Sequence, residues 1–450
     1  MKKILLATAL CATLINLHAD ETTDTEIKKV RPGASADYVG ASLLPVEKRT
    51  FSQSQYIPDV SLVLDVSYVN RDYDPDEVAH LEIPGIAEGI LGSHSHDGNT
   101  EATYNANEGF NLNYAELVLS SSVDPYFAMQ GVFHFSENGV EIEEAYFTST
   151  ALEHGLRFKG GKFNSNFGYL NQQHQHTWDF ADMPLVYQSF FGMHGINEIG
   201  AQLQWTAPTP FYLMAGIEVL QGNNEQMFGN ATIEDEATGV AIAEGATPPS
   251  LYVGYLKSSF DVGDTTFLGG ISYAYGDSRV NHIEENGDGH AFSGTSKVYG
   301  ADFLVKHYFD SYSSLKWQSE YLYRDMDGTE FDVTGGGATI TPESRTNKQA
   351  GFYSQLVYMY NSNWGAGVRY DGFTKNDVVI GGANENEPTN MNKYTAMIEY
   401  HTSEFARFRL QYNRNNALYT EADEGGQQQH IDTIIFEANI AIGAHAAHSF

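Results

Sequence analysis

The sequence predicts an all-β fold: a transmembrane, antiparallel, up-and-down β-barrel of about 16 strands, with a range of roughly 14 to 18. Three observations lead to this prediction. Apolar and polar residues alternate with a period of two in many segments, and aromatic residues make up 13% of the 450 residues, including 28 Tyr and 26 Phe. Beyond the first residues, no stretch has the roughly 20 uninterrupted apolar residues that a membrane-spanning helix needs. Barrels use aromatic side chains as belts at both membrane interfaces.

The amino-terminal residues predict export. Lys2 and Lys3 precede an apolar run that ends at Leu17, and the small residue Ala19 follows. This layout is typical of a cleavable secretory signal, so we assign residues 1–19 to a signal peptide. Residues 20–56 are polar without a clear period and are predicted to be a periplasmic extension, which leaves 57–450 for an outer-membrane barrel of Gram-negative type.

Net charge and cysteine content limit which molecules and metal ligands the protein can use. The formal net charge is −33, and removal of the two signal lysines gives −33 − 2 = −35. Such an excess argues against nucleic acid, whose phosphates would be repelled, and makes cations the natural counter-charges, although a solvated acidic loop surface is the alternative. Cys11, inside the signal, is the only cysteine, so a metal site in the mature chain would have to use His and carboxylate.

Individual strands are predicted from alternation, because a spanning strand faces lipid on one side and the lumen on the other. FAMQGVFHF at 127–135, for example, puts its Phe and Met side chains on one face and Gln130 and His134 on the other. The predicted strands are 61–69, 112–120, 126–135, 143–149, 156–163, 199–206, 211–220, 250–260, 265–275, 297–308, 314–324, 350–360, 364–373, 393–401, 405–414 and 431–442.

The connectors between these strands alternate in length, as the short periplasmic turns and long extracellular loops of such barrels do. Short links include 207–210, 261–264, 361–363 and 402–404. The long ones are 70–111, 164–198, 221–249, 276–296, 325–349 and 374–392. The third extracellular loop of many sixteen-strand porins folds into the barrel, so we predict that 164–198 folds inward and narrows the lumen.

The third loop also carries the candidate metal ligands, which are His174, His176, Asp179, Asp182 and His194. In an extended segment the two histidines of an HxH pair point the same way, so both can reach one Zn²⁺ while a carboxylate completes the site. The alternative is that they hydrogen-bond to the barrel wall and hold the loop. A second HxH pair lies in Ser93–Asp97, with His80 upstream, and can equally belong to a solvated loop.

Fixed charges on the polar strand faces predict a charged constriction. The candidates are Arg157, Lys159, Arg369, Arg407 and Arg409, with Lys316 and Arg324 on the same faces. Opposed to Asp179 and Asp182, they would set up a transverse field that selects permeating ions. The alternative is that these charges form ion pairs that stiffen the wall. No compact motif fixes a nucleophile beside a base, so the sequence does not favour an enzyme.

The segment from Lys162 to Gly222 contains QHQHTWDFADMPLVY, FFG, HGINEIGAQLQW and APTPFYLMAGIEVLQG. It resembles a group of outer-membrane proteins described as zinc-regulated or TonB-dependent-receptor-like. The resemblance implies a barrel linked to zinc or another scarce metal, with His174, His176 and Asp179 as the positions of interest. The chain departs from true energy-coupled receptors because it lacks a plug domain and is too short for their larger barrel, which favours passive passage.

The sequence therefore predicts a porin-like channel for small polar solutes or ions, with divalent metal such as zinc as a candidate. The competing class is a metal-binding outer-membrane receptor that works with a TonB-type energy partner. No cofactor is required in either case, and Zn²⁺ is the one ligand that the residues suggest. The expected partners are outer-membrane lipid, small solutes or metal ions and, by analogy of fold, two further copies in a homotrimer.

Overall fold

The structure, a computed structural model, describes residues 58–73, 78, 81–87, 104–137, 139–224, 226–235, 239–283, 287–420 and 425–443. The predicted signal peptide 1–19, the predicted extension 20–56 and the HxH pair of Ser93–Asp97, with His80, lie outside the described residues.

Nineteen strands and two short helical segments make up the described chain. The strands are β1 (Asp59–Arg71), β2 (Gly109–Ser122), β3 (Phe127–Ser136), β4 (Gly139–Ser149), β5 (Leu156–Asn164), β6 (Asn197–Thr206), β7 (Tyr212–Leu220), β8 (Ile233–Asp235), β9 (Val240–Ala243), β10 (Leu251–Val262), β11 (Thr265–Ile283), β12 (Gly289–Tyr308), β13 (Ser314–Thr334), β14 (Thr339–Met359), β15 (Trp364–Ile380), β16 (Ala383–Glu385), β17 (Asn392–Ser403), β18 (Ala406–Asn415) and β19 (Ile431–Gly443). The helical segments are a 3₁₀ turn at Gln175–Thr177 and the α-helix α1 at Leu185–Phe191. Within the described residues no helix has the length and apolarity that crossing a bilayer would require.

Sixteen of these strands close into a cylinder. Each pairs antiparallel with the next, β7 pairs with β10, β15 pairs with β17, and β1 closes the ring by pairing with both β2 and β19. The three remaining strands are accessories: β8 and β9 form a separate hairpin and β16 adds three residues beside β15. The predicted 16-strand barrel is confirmed, and each predicted strand overlaps an observed one.

The outside of the cylinder carries an apolar band between two aromatic rings. The ring beside the short turns contains Tyr126, Phe211, Phe260, Phe309, Tyr312, Tyr360, Trp364 and Phe405, and the ring nearer the loops contains Phe110, Tyr252, Tyr273, Tyr299, Tyr321, Tyr394 and Tyr412, all exposed. Ten residues separate Tyr299 from Phe309. At about 3.4 Å per residue and a tilt of about 40°, the band is roughly 25 Å tall, which matches a bilayer's hydrocarbon layer.

Four strands continue far beyond the loop-side aromatic ring. β11 pairs with β12 up to Ile283↔Gly289, and β13 pairs with β14 up to Thr334↔Thr339. The predicted loops 276–296 and 325–349 are therefore mostly paired strand, and 374–392 also begins as strand. Alternation could not reveal this, because both faces of a hairpin outside the membrane contact water. A small apolar cluster of Ile233, Ile283, Ala291 and Val333 packs the β8–β9 hairpin against these extensions.

The hydrophobic core lies inside the cylinder. The third loop, which runs from Ser165 to Ile196 between β5 and β6, supplies Phe167, Tyr187, Phe190 and Phe191, all nearly inaccessible to solvent. Leu81 and Ile83 of the first loop and Met227 and Phe228 of the fourth loop complete this core. A barrel whose interior packs aromatic side chains is not a wide, water-filled pore at that level. The predicted inward folding of the third loop is confirmed.

Candidate functional site: the third loop and the wall it contacts

The third loop folds inward through a turn at Gly168. Its φ is +62°, in the left-handed region, and a Cβ there would overlap the Tyr187 hydroxyl and a Glu320 carboxylate oxygen. Its backbone N–H donates to Ser272 Oγ at 3.0 Å, and its carbonyl accepts from Lys257 Nζ at 2.5 Å. Glycine is the residue that tolerates both the left-handed backbone and the close approach.

Glu320 on β13 anchors the loop after this turn. Its carboxylate accepts hydrogen bonds from the backbone N–H groups of Tyr169 and Leu170, both at 2.9 Å. The hydroxyl of Tyr187 in α1 donates to the same carboxylate at 2.7 Å, and Tyr353 on β14 donates at 2.5 Å. One buried wall carboxylate therefore fixes two separate parts of the loop, because it accepts hydrogen bonds both from the backbone after the turn and from Tyr187 of α1.

Two aspartates of the third loop meet cations on the wall, in what we call the Asp–Arg cluster: Asp179, Asp182, Lys316, Arg369 and Lys393. Lys316 on β13 lies 2.5 Å from Asp179 Oδ1. Arg369 on β15 and Lys393 on β17 lie 2.9 and 2.8 Å from the Asp182 carboxylate. Burial raises the pKa of Asp182, but Arg369 and Lys393 outweigh it and hold that pKa well below its ordinary value.

Two further arginines hold the loop through its backbone. Arg407 on β18 donates to the carbonyl oxygens of His176 and Trp178 at 3.0 and 3.1 Å. Arg409 donates to the Trp178 carbonyl at 2.8 Å and also pairs with Glu437 at 2.7 Å. These contacts match the alternative in which wall charges stiffen the structure, while the predicted role of the arginines in ion selectivity stays a prediction.

On the opposite side the loop meets a cluster of histidines and glutamates, which we call the His–Glu cluster. Its members are Glu116 on β2, His134 on β3, Glu143 and Glu144 on β4, and His174 and His176 in the third loop. His134 and Lys316 belong to the third and eleventh strands of the sixteen-strand ring, so the two clusters face each other across the lumen.

Short distances tie the His–Glu cluster together. His134 Nε2 lies 3.1 Å from Glu116 Oε2 and 2.7 Å from Glu143 Oε2. His174 Nδ1 lies 3.2 Å from Glu143 Oε2 and 3.6 Å from Glu116 Oε2, and its Nε2 lies 3.1 Å from Glu144 Oε2. His176 Nδ1 lies 3.3 Å from Glu116 Oε2. Burial lowers the pKa of His174, but Glu143 and Glu116 raise it by more, so the net pKa is well above its ordinary value.

A β-bulge places two consecutive glutamates on the same face of β4. In the pairing with β3, Val132 lies opposite Glu144 and Phe133 lies opposite Ile142, so Glu143 is the extra residue. An extra residue reverses the alternation, and both Glu143 and Glu144 therefore point into the lumen, where both are buried. β2 has a similar irregularity at Asn113, which turns Tyr114 inward so that its ring stacks on His134 at 4.7 Å.

The predicted ligands divide between the two clusters. His174 and His176 do meet a carboxylate, but through a 3₁₀ turn instead of the predicted extended segment, with ring centroids 5.7 Å apart. Asp179 and Asp182 do not join them, because wall cations on the other side hold both aspartates. His194, half-buried, lines a small cavity together with Glu143. The structure therefore separates Asp179 and Asp182 from the two histidines, and metal binding by His174 and His176 stays a prediction.

The remaining predicted constriction residues, Arg157 and Lys159, lie on β5. Arg157 is exposed near the turn end of the strand. The Lys159 ammonium lies over the rings of Tyr146 and Phe163, at 4.6 and 5.0 Å from their centroids.

Sequence reasoning missed Glu116, His134, Glu143 and Glu144 as site residues. His134 was placed correctly on the polar face of its strand, and a His facing the lumen of a membrane barrel was the available signal. The adjacent pair Glu143 and Glu144 gave no such signal, since simple alternation would send one of them into lipid.

Between the third loop and the wall of β1, β2 and β17–β19 lies a cavity with about 80 Å³ of room for the centres of water molecules. One water needs about 10–15 Å³ by this measure, so the cavity admits a short file of waters. Polar side chains from both sides line it, among them Asp65, Asp182, Lys393 and Glu437.

The fold defines the class: a closed, antiparallel β-barrel of 16 strands, with its third loop folded into the lumen. No family model matches the chain. The chain is 44% identical over 404 residues to an uncharacterized protein of Aquifex aeolicus (strain VF5), a match that covers 89% of this chain and 81% of that one. It belongs to the same family as that protein.

Among solved structures, the chain is similar to in-vitro folded OmpT, an outer membrane protein of Vibrio cholerae, with a TM-score of 0.46 and 11% identity over 86% of this chain and 97% of that one. It is also similar to the outer membrane channel DcaP of Acinetobacter baumannii, with a TM-score of 0.46 and 10% identity over 86% and 98%. A third similar structure is Salmonella typhi OmpF in complex with daunomycin. Its TM-score is 0.45, with 11% identity over 86% of this chain and 97% of that one.

Proposed function

We propose that this protein is a channel in the outer membrane of a Gram-negative cell, and that its third loop restricts passage to small polar solutes and ions. One observation carries the proposal: the third loop is tied to opposite walls of the barrel, by His174 to Glu143 on β4 and by Asp179 to Lys316 on β13. A loop anchored on both sides crosses the lumen and leaves only narrow passages beside it.

The polar cavity beside the loop supports a path for ions. It is lined by acids and bases from both the loop and the wall, which can replace part of an ion's hydration shell. The apolar outer band with its two aromatic rings supports insertion in a bilayer, where outer-membrane lipid is the surrounding partner. A homotrimer stays a prediction from analogy of fold.

Planar-bilayer recording of the purified protein tests this function. The wild-type protein should give a small, steady conductance. A variant in which a short Gly-Ser linker replaces residues 169–191 should conduct several-fold more, because that segment fills the lumen. Circular dichroism checks that the shortened barrel is folded, and Glu320→Gln, which weakens the anchor while keeping the loop, should raise the conductance in the same direction.

One result would contradict the proposed channel function, and another would contradict the proposed role of the third loop. If neither the wild-type protein nor the folded, shortened barrel conducts, the protein is not a channel. Equal conductance in the two would mean that the third loop does not set the passage.

A second candidate, the metal-binding receptor, is favoured by the His–Glu cluster. Its energy-coupled form would need a segment that contacts a TonB-type partner, and the segment predicted to be periplasmic, 20–56, lies outside the described residues. A barrel that is silent in bilayers but binds Zn²⁺ would favour this receptor over the channel.

A further inference from the structure

We propose that Glu116, His134, Glu143 and His174 form a binding site for one divalent transition-metal ion such as Zn²⁺, and that the bound ion ties the third loop to the barrel wall. The proposal deepens the second candidate function and rests on metal binding, whether or not the barrel conducts. It differs from the predicted site in three of its four ligands.

The donor atoms have a spacing that suits zinc. A tetrahedral Zn²⁺ with bonds of about 2.0–2.1 Å places its ligand atoms about 3.3 Å apart. His134 Nε2 lies 3.1 and 2.7 Å from oxygens of Glu116 and Glu143, and His174 Nδ1 lies 3.6 and 3.2 Å from the same two oxygens. Donor atoms of Glu116, His134 and Glu143 all lie within 4.8 Å of one another. His174 is not part of that group of three and would join it through its contacts with Glu116 and Glu143.

The surroundings orient the ligands. A metal-bound histidine usually donates its other ring N–H to a carboxylate, which fixes its tautomer. Glu144 Oε2 lies 3.1 Å from His174 Nε2, the nitrogen that would face away from the ion. Tyr114 stacks on His134 with an angle of 10° between the rings and limits its rotation.

Charge balance favours a cation. Glu116, Glu143 and Glu144 are all buried, and among the described residues histidines are their only ion-pair partners within 4.0 Å. Lys159 attracts Glu144 from farther away. The second carboxylate oxygen of Glu116 is also buried and accepts no hydrogen bond from the described part of the chain. Buried carboxylates need a compensating positive charge, which a divalent ion would supply.

The chemistry of the donors selects the ion. Two imidazoles and two carboxylates suit Zn²⁺ and its neighbours among the transition metals, whereas Mg²⁺ and Ca²⁺ prefer all-oxygen sites. Because His174 belongs to the loop and the other three ligands belong to the wall, the bound ion would link the loop to the wall.

Isothermal titration calorimetry with ZnCl₂ on the full-length folded barrel, without a histidine tag, tests the site. The background variant is H80N/H94N/H96N, so that the second HxH pair and His80 do not contribute. We expect one Zn²⁺ per barrel, little competition from Mg²⁺, and strong visible absorption bands of tetrahedral cobalt when Co²⁺ is used instead.

Matched variants locate the ion. Glu144→Gln should weaken binding about 10- to 100-fold, because it removes only the orienting partner, and His134→Gln should weaken it further. His401→Gln is the control, since His401 is also a partly buried histidine beside a glutamate, 3.3 Å from Glu399, but has one carboxylate partner. Its affinity for Zn²⁺ should equal that of the background.

Absence of Zn²⁺ binding in the folded background would overturn the proposal and leave a network of protonated histidines and carboxylates. Binding that is equal in the background, Glu144→Gln and His134→Gln would overturn it too, by placing the ion elsewhere. Glu144→Gln keeps the test valid if His134→Gln does not fold. Bilayer conductance decides the channel separately, so failure of the two proposals can be told apart.

Discussion

The His–Glu cluster and the Asp–Arg cluster both fasten the third loop to the barrel wall, but the wall supplies opposite charges to them. At the Asp–Arg cluster the loop provides the acids, and the wall provides the lysine and arginine side chains of Lys316, Arg369 and Lys393. At the His–Glu cluster the wall provides three glutamates and His134, and the loop provides two more histidines. The charge of a histidine depends on a proton or a bound metal ion. The Asp–Arg cluster thus holds its side of the loop permanently. The His–Glu cluster holds the other side only when its histidines carry a proton or a metal ion.

In the proposed channel, this difference would let solutes pass without loss of the constriction. If the His–Glu cluster opens while the Asp–Arg cluster holds, the third loop can swing from the β4 side and still remain attached near β15. The wall arginines that were predicted to act on permeating ions would then act chiefly on the loop.

The largest expected effect comes from removing the permanent anchor. Arg369→Ala combined with Lys393→Ala leaves the Asp182 carboxylate without its cations, which should weaken closure of the loop by about 3 kcal/mol. Hydrogen exchange of the segment 179–186 should become roughly 100-fold faster, and bilayer conductance should rise.

The control for this double variant is Arg414→Ala. Arg414 forms an ion pair with Asp432 at 2.7 Å, but both side chains are about a third exposed or more. Loss of such a pair should change stability by no more than about 1 kcal/mol. Equal exchange rates in the double variant and in Arg414→Ala would show that the Asp–Arg cluster does not hold the loop.

A chelator should loosen the third loop only at the His–Glu cluster. With Zn²⁺ at about 100 times its dissociation constant, binding stabilises the closed loop by about 2.7 kcal/mol. Removing the ion with EDTA should therefore accelerate hydrogen exchange at 172–178, measured by mass spectrometry, while 179–186 changes little. If both segments respond equally, the two clusters act as one unit and the comparison fails.

How far the sequence predicted these clusters depends on the constraint behind each residue. Lipid imposes strict alternation, so all sixteen spanning strands and the inward faces of His134, Arg369 and Arg409 were predictable. The bulge at Glu143 was not, because one extra residue reverses the alternation without any marker in composition.

The partners of the third loop were also beyond prediction. Asp179 and Lys316 are 137 positions apart in sequence and meet only because the barrel closes. Whether an aspartate faces a histidine or a lysine across the lumen is decided by the ring order of the strands, which local pattern does not encode. The inward fold of the loop was predictable, whereas the division of its charged residues between two walls was not.

The smallest expected effect is that of mild acid on the Asp–Arg cluster. The groups that face Asp182 are Arg369 on β15, itself paired with Asp371 at 2.9 Å, and Lys393 on β17, while Gln411 and Asn413 on β18 add neutral hydrogen bonds. These cations keep the pKa of Asp182 well below its ordinary value despite burial. A lowered pKa means that the ionised carboxylate stabilises the closed loop above the unfolded pKa of about 3.9, and that this contribution is lost as the pH falls through the lower, folded pKa.

Conductance recorded at pH 7, 5 and 3 should therefore show no opening at the Asp–Arg cluster between pH 7 and pH 5, with loosening only below about pH 4. Asp182→Asn is the matched control, because it removes the titrating group and should abolish the acid-dependent step. An opening between pH 7 and pH 5 that disappears in Asp182→Asn would mean that Arg369 and Lys393 do not hold Asp182 ionised. The permanent character of this anchor, and with it the contrast with the His–Glu cluster, would then be wrong.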